Sequence, residues 1–263
     1  VKSPILPYKN LGQHFLSDPN TARRIVDELT SPKEGHVIEI GPGVGALTGL
    51  LVDRYQNFEA IEVDERVVDY LDTIYPELTV HQMSVLDVNW NKLGDTPLHI
   101  IGNLPYNISS PILFGLFASH DVIAEAVLMV QREVAERMIA QPRTKSYGIP
   151  SVIAQLYARP TILFNVSRNV FDPKPSVESS VIRLKFEGVT VPDVDPGFLH
   201  AVVRAGFSMR RKVLRNSLRK WDIEIPDQWK RCRAEELSPE DYVALTRYFL
   251  DRKNSLSEFT QNL

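Results

Sequence analysis

One cysteine, Cys232, stands in 263 residues. A disulfide framework or a cysteine-based zinc site therefore cannot form within one chain, and a reducing, cytoplasmic setting is expected. No apolar run is long enough to span a bilayer, and no signal-peptide pattern is present, so no membrane association is expected. The six histidines are scattered without ligand spacing, so no metal site is expected. Net charge is only −3, which excludes a protein that coats nucleic acid indiscriminately; any nucleic-acid surface must be a local basic patch. Internal repeats and low-complexity tracts are missing as well. What remains is an ordinary globular composition, 43% hydrophobic and 24% charged, in a chain long enough for a large and a small domain. Nothing suggests an obligate dimer, and a monomer is expected.

Strand-like runs occur at Val37–Ile40, Phe58–Val63, Leu78–His81, Leu98–Gly102, Ile123–Val130, Thr161–Val166 and Ser180–Phe186. Helix-like segments separate most of them: Ala46–Arg54, Glu65–Ile74, Pro111–Phe117, Arg132–Ala140 and Ile149–Tyr157. Asp18-Pro19 reads as an N-cap and first helical position ahead of the apolar face Ile25, Val26 and Leu29. Alternation of this kind predicts an α/β, Rossmann-like domain with a seven-stranded, mostly parallel sheet. The last two strands are joined without a helix, which predicts an antiparallel hairpin at one edge. After Phe186 the character changes. Glu187–Pro196 reads as a linker, and only helical signals follow. The expected division is residues 1–188 as the catalytic domain and 189–263 as a small all-helical domain, ending in a mobile tail, Asn254–Leu263.

The run Val37–Ile40 enters Gly41-Pro42-Gly43-Val44-Gly45, a glycine-rich turn that opens a helix. Glycines let backbone approach a ligand, and a helix N-terminus offers free N–H groups. Dinucleotide sites space their glycines as G-x-G-x-x-G; here the spacing is G-x-G-x-G, with Glu39 two residues ahead, which suits a cofactor without a pyrophosphate. Glu39 can organise the loop and orient a cationic amino-acid moiety. The next strand ends at Glu62-Val63-Asp64, where Glu62 can hold two ribose hydroxyls while Asp64 caps the following helix. The fourth strand delivers Asn103-Leu104-Pro105-Tyr106. The Asn103 amide oxygen and the Leu104 carbonyl can accept both hydrogens of an exocyclic amine. Tyr106 can stack on a planar base, and Pro105 stiffens the turn. Each piece alone has a plainer reading, such as a strand before an X-Pro turn or a solvated strand-end carboxylate. In this order they point to S-adenosyl-L-methionine and methylation of an amino nitrogen.

Six stretches carry a family resemblance. They are Asn10–Leu16, Glu39–Thr48, Gly102–Pro111, Gln131–Arg137, Phe171–Ser179 and Phe207–Leu218. Together they resemble the small-subunit ribosomal RNA adenine dimethyltransferases of the KsgA type, over nearly the whole chain. The resemblance implies a class I methyltransferase that transfers two methyl groups to N6 of each of two adjacent adenines, in a hairpin loop near the 3′ end of 16S rRNA. The substrate would be the 30S subunit or its precursor, with a role in ribosome biogenesis. The resemblance also implies cofactor contacts from His14, Leu16, Gly41, Glu62 and Asn103; Gln13 and Gly43, beside them in the same segments, are candidates with them. An aspartate that holds the cofactor's adenine amine in the family is replaced here by Ser84, with Asp87 three residues on.

The target base must be splayed out of its stack to reach such a site. Phe171 is a candidate for the second face of a base sandwich, against the plainer reading of a core residue anchoring its loop. Arg211, Arg215 and Arg219 share one stripe at helical spacing, beside apolar Phe207, Leu214 and Leu218. They are the candidate RNA-phosphate contacts, although such a run is often only a solvated face. Rival readings are the related large-subunit rRNA methyltransferases that confer macrolide resistance, a non-catalytic RNA-binding relative, and, further off, a nicotinamide dehydrogenase.

Overall fold

The computed structural model describes residues 4–94, 97–221 and 224–261, with side chains through residue 252. Two compact units are present: Val1–Ala135 with Ala158–Gly188, and Glu136–Tyr157 with Val189–Leu263. The break after Gly188 lies at the expected linker. Residues 136–157, expected in the first domain, belong to the helical unit instead. Six of the nine residues of the helix within this segment are buried. Periodicity shows that such a helix has a covered face, not what covers it.

The first unit is built on a seven-stranded sheet in the order β4-β3-β2-β5-β6-β9-β7. Its strands are β2 (His36–Ile40), β3 (Asn57–Glu62), β4 (Thr79–Gln82), β5 (Leu98–Asn103), β6 (Ile123–Gln131), β7 (Arg159–Val166) and β9 (Ser179–Lys185). β4, β3, β2, β5 and β6 pair in parallel. β9 runs antiparallel between β6 and edge strand β7, the expected hairpin. All five residues of β2 and five of six in β5 are buried, as strands covered on both faces require. Each fully buried isoleucine, such as Ile38 or Ile100, contributes about 1.5–3 kcal/mol. The helices are α1 (Pro19–Asp27), α2 (Thr48–Leu51), α3 (Glu65–Ile74), α4 (Ser109–Ala118) and α5 (Arg132–Ile139), the last reaching into the second unit. Asp18 caps α1, accepting from the Thr21 N–H at 2.9 Å. α2 is shorter than expected: the glycine loop occupies the turn before it, and residues 52–54 form a turn after it.

A second, two-stranded sheet has no counterpart in the sequence reading. β1 (Phe15–Leu16) pairs antiparallel with β8 (Phe171–Asp172), matching Leu16 with Phe171. It fastens the N-terminal segment to the loop before β9.

The second unit contains α6 (Ile149–Tyr157), α7 (Pro196–Phe207), α8 (Leu214–Ser217), α9 (Asp227–Lys230) and α10 (Pro239–Gln261). Aromatic rings fill it: Phe207 stacks on Tyr242 at 5.9 Å between centroids and Trp221 on Phe249 at 5.6 Å. The buried Tyr147 and Tyr242 hydroxyls donate to the Leu237 and Ala234 carbonyls. One expectation fails here. The stretch Phe207–Leu218 is not one helix, because α7 ends at Phe207 and α8 spans only four residues. The backbone of the expected tail continues α10 as far as Gln261, while residues 262 and 263 lie outside the described residues. Among the described residues no helix is long and apolar enough to cross a membrane.

Candidate active site

The sheet order reverses about β2, with β3 on one side and β5 on the other. Open α/β sheets bind ligands beyond the carboxyl ends of strands at such a point. Here β2 delivers the glycine loop and β5 delivers Asn103. The two strands approach so closely that a Cβ on Gly102 would lie 2.5 Å from the Ile40 carbonyl oxygen, so only glycine fits there.

A cleft of about 320 Å³ opens at this place. Gly41 and Gly43, with φ of 66° and 54°, form part of its floor. Only glycine adopts that backbone without strain, and a Cβ on Gly43 would also meet the Phe15 ring at 2.9 Å. Glu39 lies under the loop, 1% exposed, accepting from the Thr48 hydroxyl at 2.7 Å. Burial pushes its carboxyl up to about 8, and the bond from Thr48 pulls the other way. Leu16 and Glu39 line a side cavity of about 30 Å³ that shares Gly41, Gly43 and Asn103 with the cleft.

Glu62, at the end of β3, lines the cleft. Its Oε1 accepts the N–H groups of Val63 and Asp64, both at 2.9 Å. Burial raises its pKa, and backbone N–H groups pull the other way. Ser84 lines the cleft beyond β4, and its Oγ accepts the Leu86 N–H at 3.2 Å. Asp87 is exposed and is not part of the lining. Val63 and Leu86, 51% and 48% exposed, add apolar surface to the same cleft. Neither was singled out in the sequence; the signal was an apolar residue between two acids in Glu62-Val63-Asp64.

The turn after β5 forms the other end. Leu104 is 1% exposed and its N–H donates to the Met129 carbonyl at 3.0 Å, pinning the turn to β6. Pro105 and Tyr106 line the cleft. The Tyr106 hydroxyl bonds the Ser179 hydroxyl, and burial raises its pKa. Asn103 Nδ2 donates to the His14 carbonyl at 2.9 Å. That fixes the amide, and leaves its buried Oδ1 without a hydrogen-bond partner among the described residues. The His14 ring lies 5.4 Å from that of Tyr106, and its Nδ1 donates to the Pro173 carbonyl at 2.7 Å. Gln13 also lines the cleft, but both ends of its amide bind protein: Oε1 accepts the Tyr8 N–H at 2.8 Å and Nε2 donates to Asp64 Oδ2 at 2.9 Å. Asp64, whose pKa is lowered chiefly by its bonds from Arg66, caps α3 as expected.

Two groups of expected residues fall elsewhere. Phe171 is 5% exposed, packs in the core of the first unit, and does not line the cleft. Its pairing with Leu16 turns it inward, so in this arrangement it offers no face to a base. Arg211, Arg215 and Arg219 do not form a helical stripe: Arg211 sits in the turn after α7, Arg215 on α8, and Arg219 in a separate short turn. Arg215 and Arg219 instead line a recess of about 750 Å³ with Asn216 and Lys230. Arg210, in the same run, is committed to Glu235 at 2.9 Å and to the Lys145 and Tyr147 carbonyls.

A sheet of this order with such a cleft defines a Rossmann-like methyltransferase fold. The chain belongs to the ribosomal RNA adenine dimethylase family, whose sequence model matches residues 8–247, and it is a methyltransferase. It is 46% identical over 257 residues to the ribosomal RNA small subunit methyltransferase A of Salinibacter ruber, covering 93% of this chain and 86% of that protein. The protein of the same name from Aromatoleum aromaticum is 41% identical over 249 residues, covering 91% and 93%. Among solved structures, a dimethyladenosine transferase from Plasmodium falciparum superposes with a TM-score of 0.79 at 24% identity, covering 91% of this chain and 98% of that one. The 23S rRNA methyltransferase ErmE gives 0.65 at 23%, covering 90% and 99%. These two likenesses speak for the fold.

Proposed function

We propose that this protein uses S-adenosyl-L-methionine to dimethylate N6 of two adjacent adenines in a hairpin loop near the 3′ end of 16S rRNA. It acts as a monomer in the cytoplasm, on the 30S subunit or its precursor, as a step in ribosome biogenesis. One observation carries the chemistry: the buried, unpartnered Oδ1 of Asn103, held in orientation by the His14 carbonyl. A buried acceptor left without a donor costs about 1–3 kcal/mol, and an incoming amine removes that cost.

The residues present fit the cofactor. Glu62 would hold the ribose, Val63 and Leu86 would flank the adenine ring beside Ser84, and the Gly41–Gly43 backbone with Glu39 would take the amino-acid end. Bound there, S-adenosylmethionine supplies an electrophilic methyl group. The chain's own part is to present the nucleophile. The adenine amine is weak because its lone pair is delocalised into the ring. Asn103 Oδ1 and the Leu104 carbonyl accept its two hydrogens, which localises the lone pair, while Tyr106 stacks on the base. Positioning and preorganised electrostatics do the work, and the proton leaves to solvent after transfer.

The test is incubation with labelled S-adenosylmethionine and unmethylated 30S particles, with modified nucleotides mapped by mass spectrometry. Dimethyladenosine at two adjacent positions near the 3′ end is expected; unlabelled 30S particles, with label entering 23S rRNA in a parallel reaction on that RNA, would favour the large-subunit rival.

At the adenine end, Ser84→Asp is expected to tighten cofactor binding several-fold. An ionised acceptor bonds the adenine amine more strongly than a hydroxyl, and aspartate still caps the turn to Leu86. Asp87→Ala is expected to change nothing. The reverse pattern by calorimetry would move the adenine amine away from Ser84.

The rRNA contacts are placed on the helical unit. Changing Arg211, Arg215 and Arg219 together to alanine should flatten the salt dependence of 30S binding by about one unit of slope per lost phosphate contact. Cofactor affinity and melting temperature should hold. A folded variant with the wild-type slope would return these arginines to the solvated surface.

A further inference from the structure

Residues 10–15 form one wall of the cleft, and that wall is fastened at both ends. At the β3 end, Gln13 bridges the Tyr8 N–H to Asp64. Asp64 in turn binds Arg66, whose Nη1 donates to the Leu6 carbonyl at 3.0 Å and whose guanidinium lies 3.4 Å over the Tyr8 ring. At the β5 end, Asn103 Nδ2 donates to the His14 carbonyl and Asn107 Nδ2 to the Asn10 carbonyl at 3.3 Å. The wall thus joins the corner that carries Glu62 to the turn that carries the catalytic amide.

We propose that Gln13 is a positioning residue for methyl transfer: by bridging Tyr8 to Asp64 it holds residues 8–14 closed, and through the His14 carbonyl it sets the amide of Asn103. The inference rests on the reading of the cleft given under Proposed function. Its physical basis is the asymmetry of an amide, which offers an acceptor on one side and donors on the other. With His14 in place, Nδ2 has its acceptor and Oδ1 is the end of the amide left without a partner among the described residues. With the wall displaced, the amide is free to turn over, presenting N–H groups to an amine that needs acceptors. Gln13 acts on both ends of the cleft while its own amide binds only protein.

Gln13→Glu removes the donor to Asp64 and sets two carboxylates against each other. Gln13→Glu with Asp64→Asn exchanges amide and carboxylate across the pair, restoring an N–H···O bond, and asparagine still caps α3; the exchange removes the bond from Arg66 Nη2 to Asp64 Oδ2, a loss that the Asp64→Asn single variant measures by itself. Three measurements apply to wild type, single and double variants: hydrogen exchange of residues 8–14 without ligand, release of S-adenosylhomocysteine by stopped flow, and single-turnover methyl transfer to 30S particles. Thermal melts exclude unfolding. The Gln13→Glu variant is expected to exchange faster over residues 8–14, to release S-adenosylhomocysteine about tenfold faster and to transfer methyl about tenfold more slowly, as befits one lost charge-assisted bond. The double variant should recover all three. Unchanged exchange in the Gln13→Glu variant, or a folded double variant that does not recover transfer, overturns the proposal. If wild type does not bind S-adenosylhomocysteine, the cofactor reading fails instead, and the ligand-free exchange still decides whether Gln13 closes the wall.

Discussion

Alanine in place of Asn103 is expected to slow methyl transfer by at least about a hundredfold, the usual cost of removing one preorganised polar group at a reacting centre. Among the described residues the side chain makes one bond, from Nδ2 to the His14 carbonyl, and its Oδ1 makes none. Truncation therefore deletes the acceptor while Leu104, buried and bonded to Met129, still holds the turn. S-adenosylhomocysteine affinity should fall only a few-fold, because the wall keeps its Gln13–Asp64 fastening. Asn103→Asp should fall between: it retains acceptors but cannot donate to His14, so its orientation is lost. Single-turnover transfer to 30S particles, paired with calorimetry, separates these effects. Near-normal transfer by Asn103→Ala would remove the amide from the mechanism.

The features that sequence made legible are those written in contiguous residues. A short apolar run bounded by glycines favours a covered strand over a helix, and β2 with Gly41–Gly45 or β5 with Asn103–Tyr106 fall where those runs lie. Caps are equally local, as Asp18 and Asp64 show. What escaped depends on partners distant in the chain. The Gln13–Asp64 bond spans 51 residues and the Asn103–His14 bond 89. Phe171 carries the aromatic ring a base sandwich needs, but its pairing with Leu16 commits it to the core. The arginine run has helical spacing throughout, yet Val213 makes a bridge to Arg233, and the Leu214 N–H donates to the Cys232 carbonyl at 2.8 Å. α7 has already ended at Phe207, and those bonds hold residues 213 and 214 against the segment at Cys232 and Arg233 instead of within a continued helix.

Glu62→Ala is expected to weaken S-adenosylmethionine binding by at least about tenfold, since hydrogen bonds to a charged group are worth about 1.5–3 kcal/mol each and two are lost. An ionised carboxylate has about four acceptor sites. The N–H groups of Val63 and Asp64 occupy Oε1, which fixes the side chain and leaves capacity for the two hydroxyls of a ribose. Glu62→Gln should bind with intermediate affinity, because one amide oxygen remains. The pH dependence follows from the carboxylate form being the acceptor. Affinity is present above the Glu62 pKa and lost as pH falls through it, and burial has raised that pKa above the ordinary 4.5. Wild-type binding should therefore weaken on acidification sooner than an exposed glutamate would dictate, whereas Glu62→Gln should lose this dependence. Calorimetry with S-adenosylhomocysteine, stepped downward from neutral pH over the range in which the protein stays folded, tests both points. A dissociation constant unchanged in Glu62→Ala would show that the ribose is held elsewhere in the cleft.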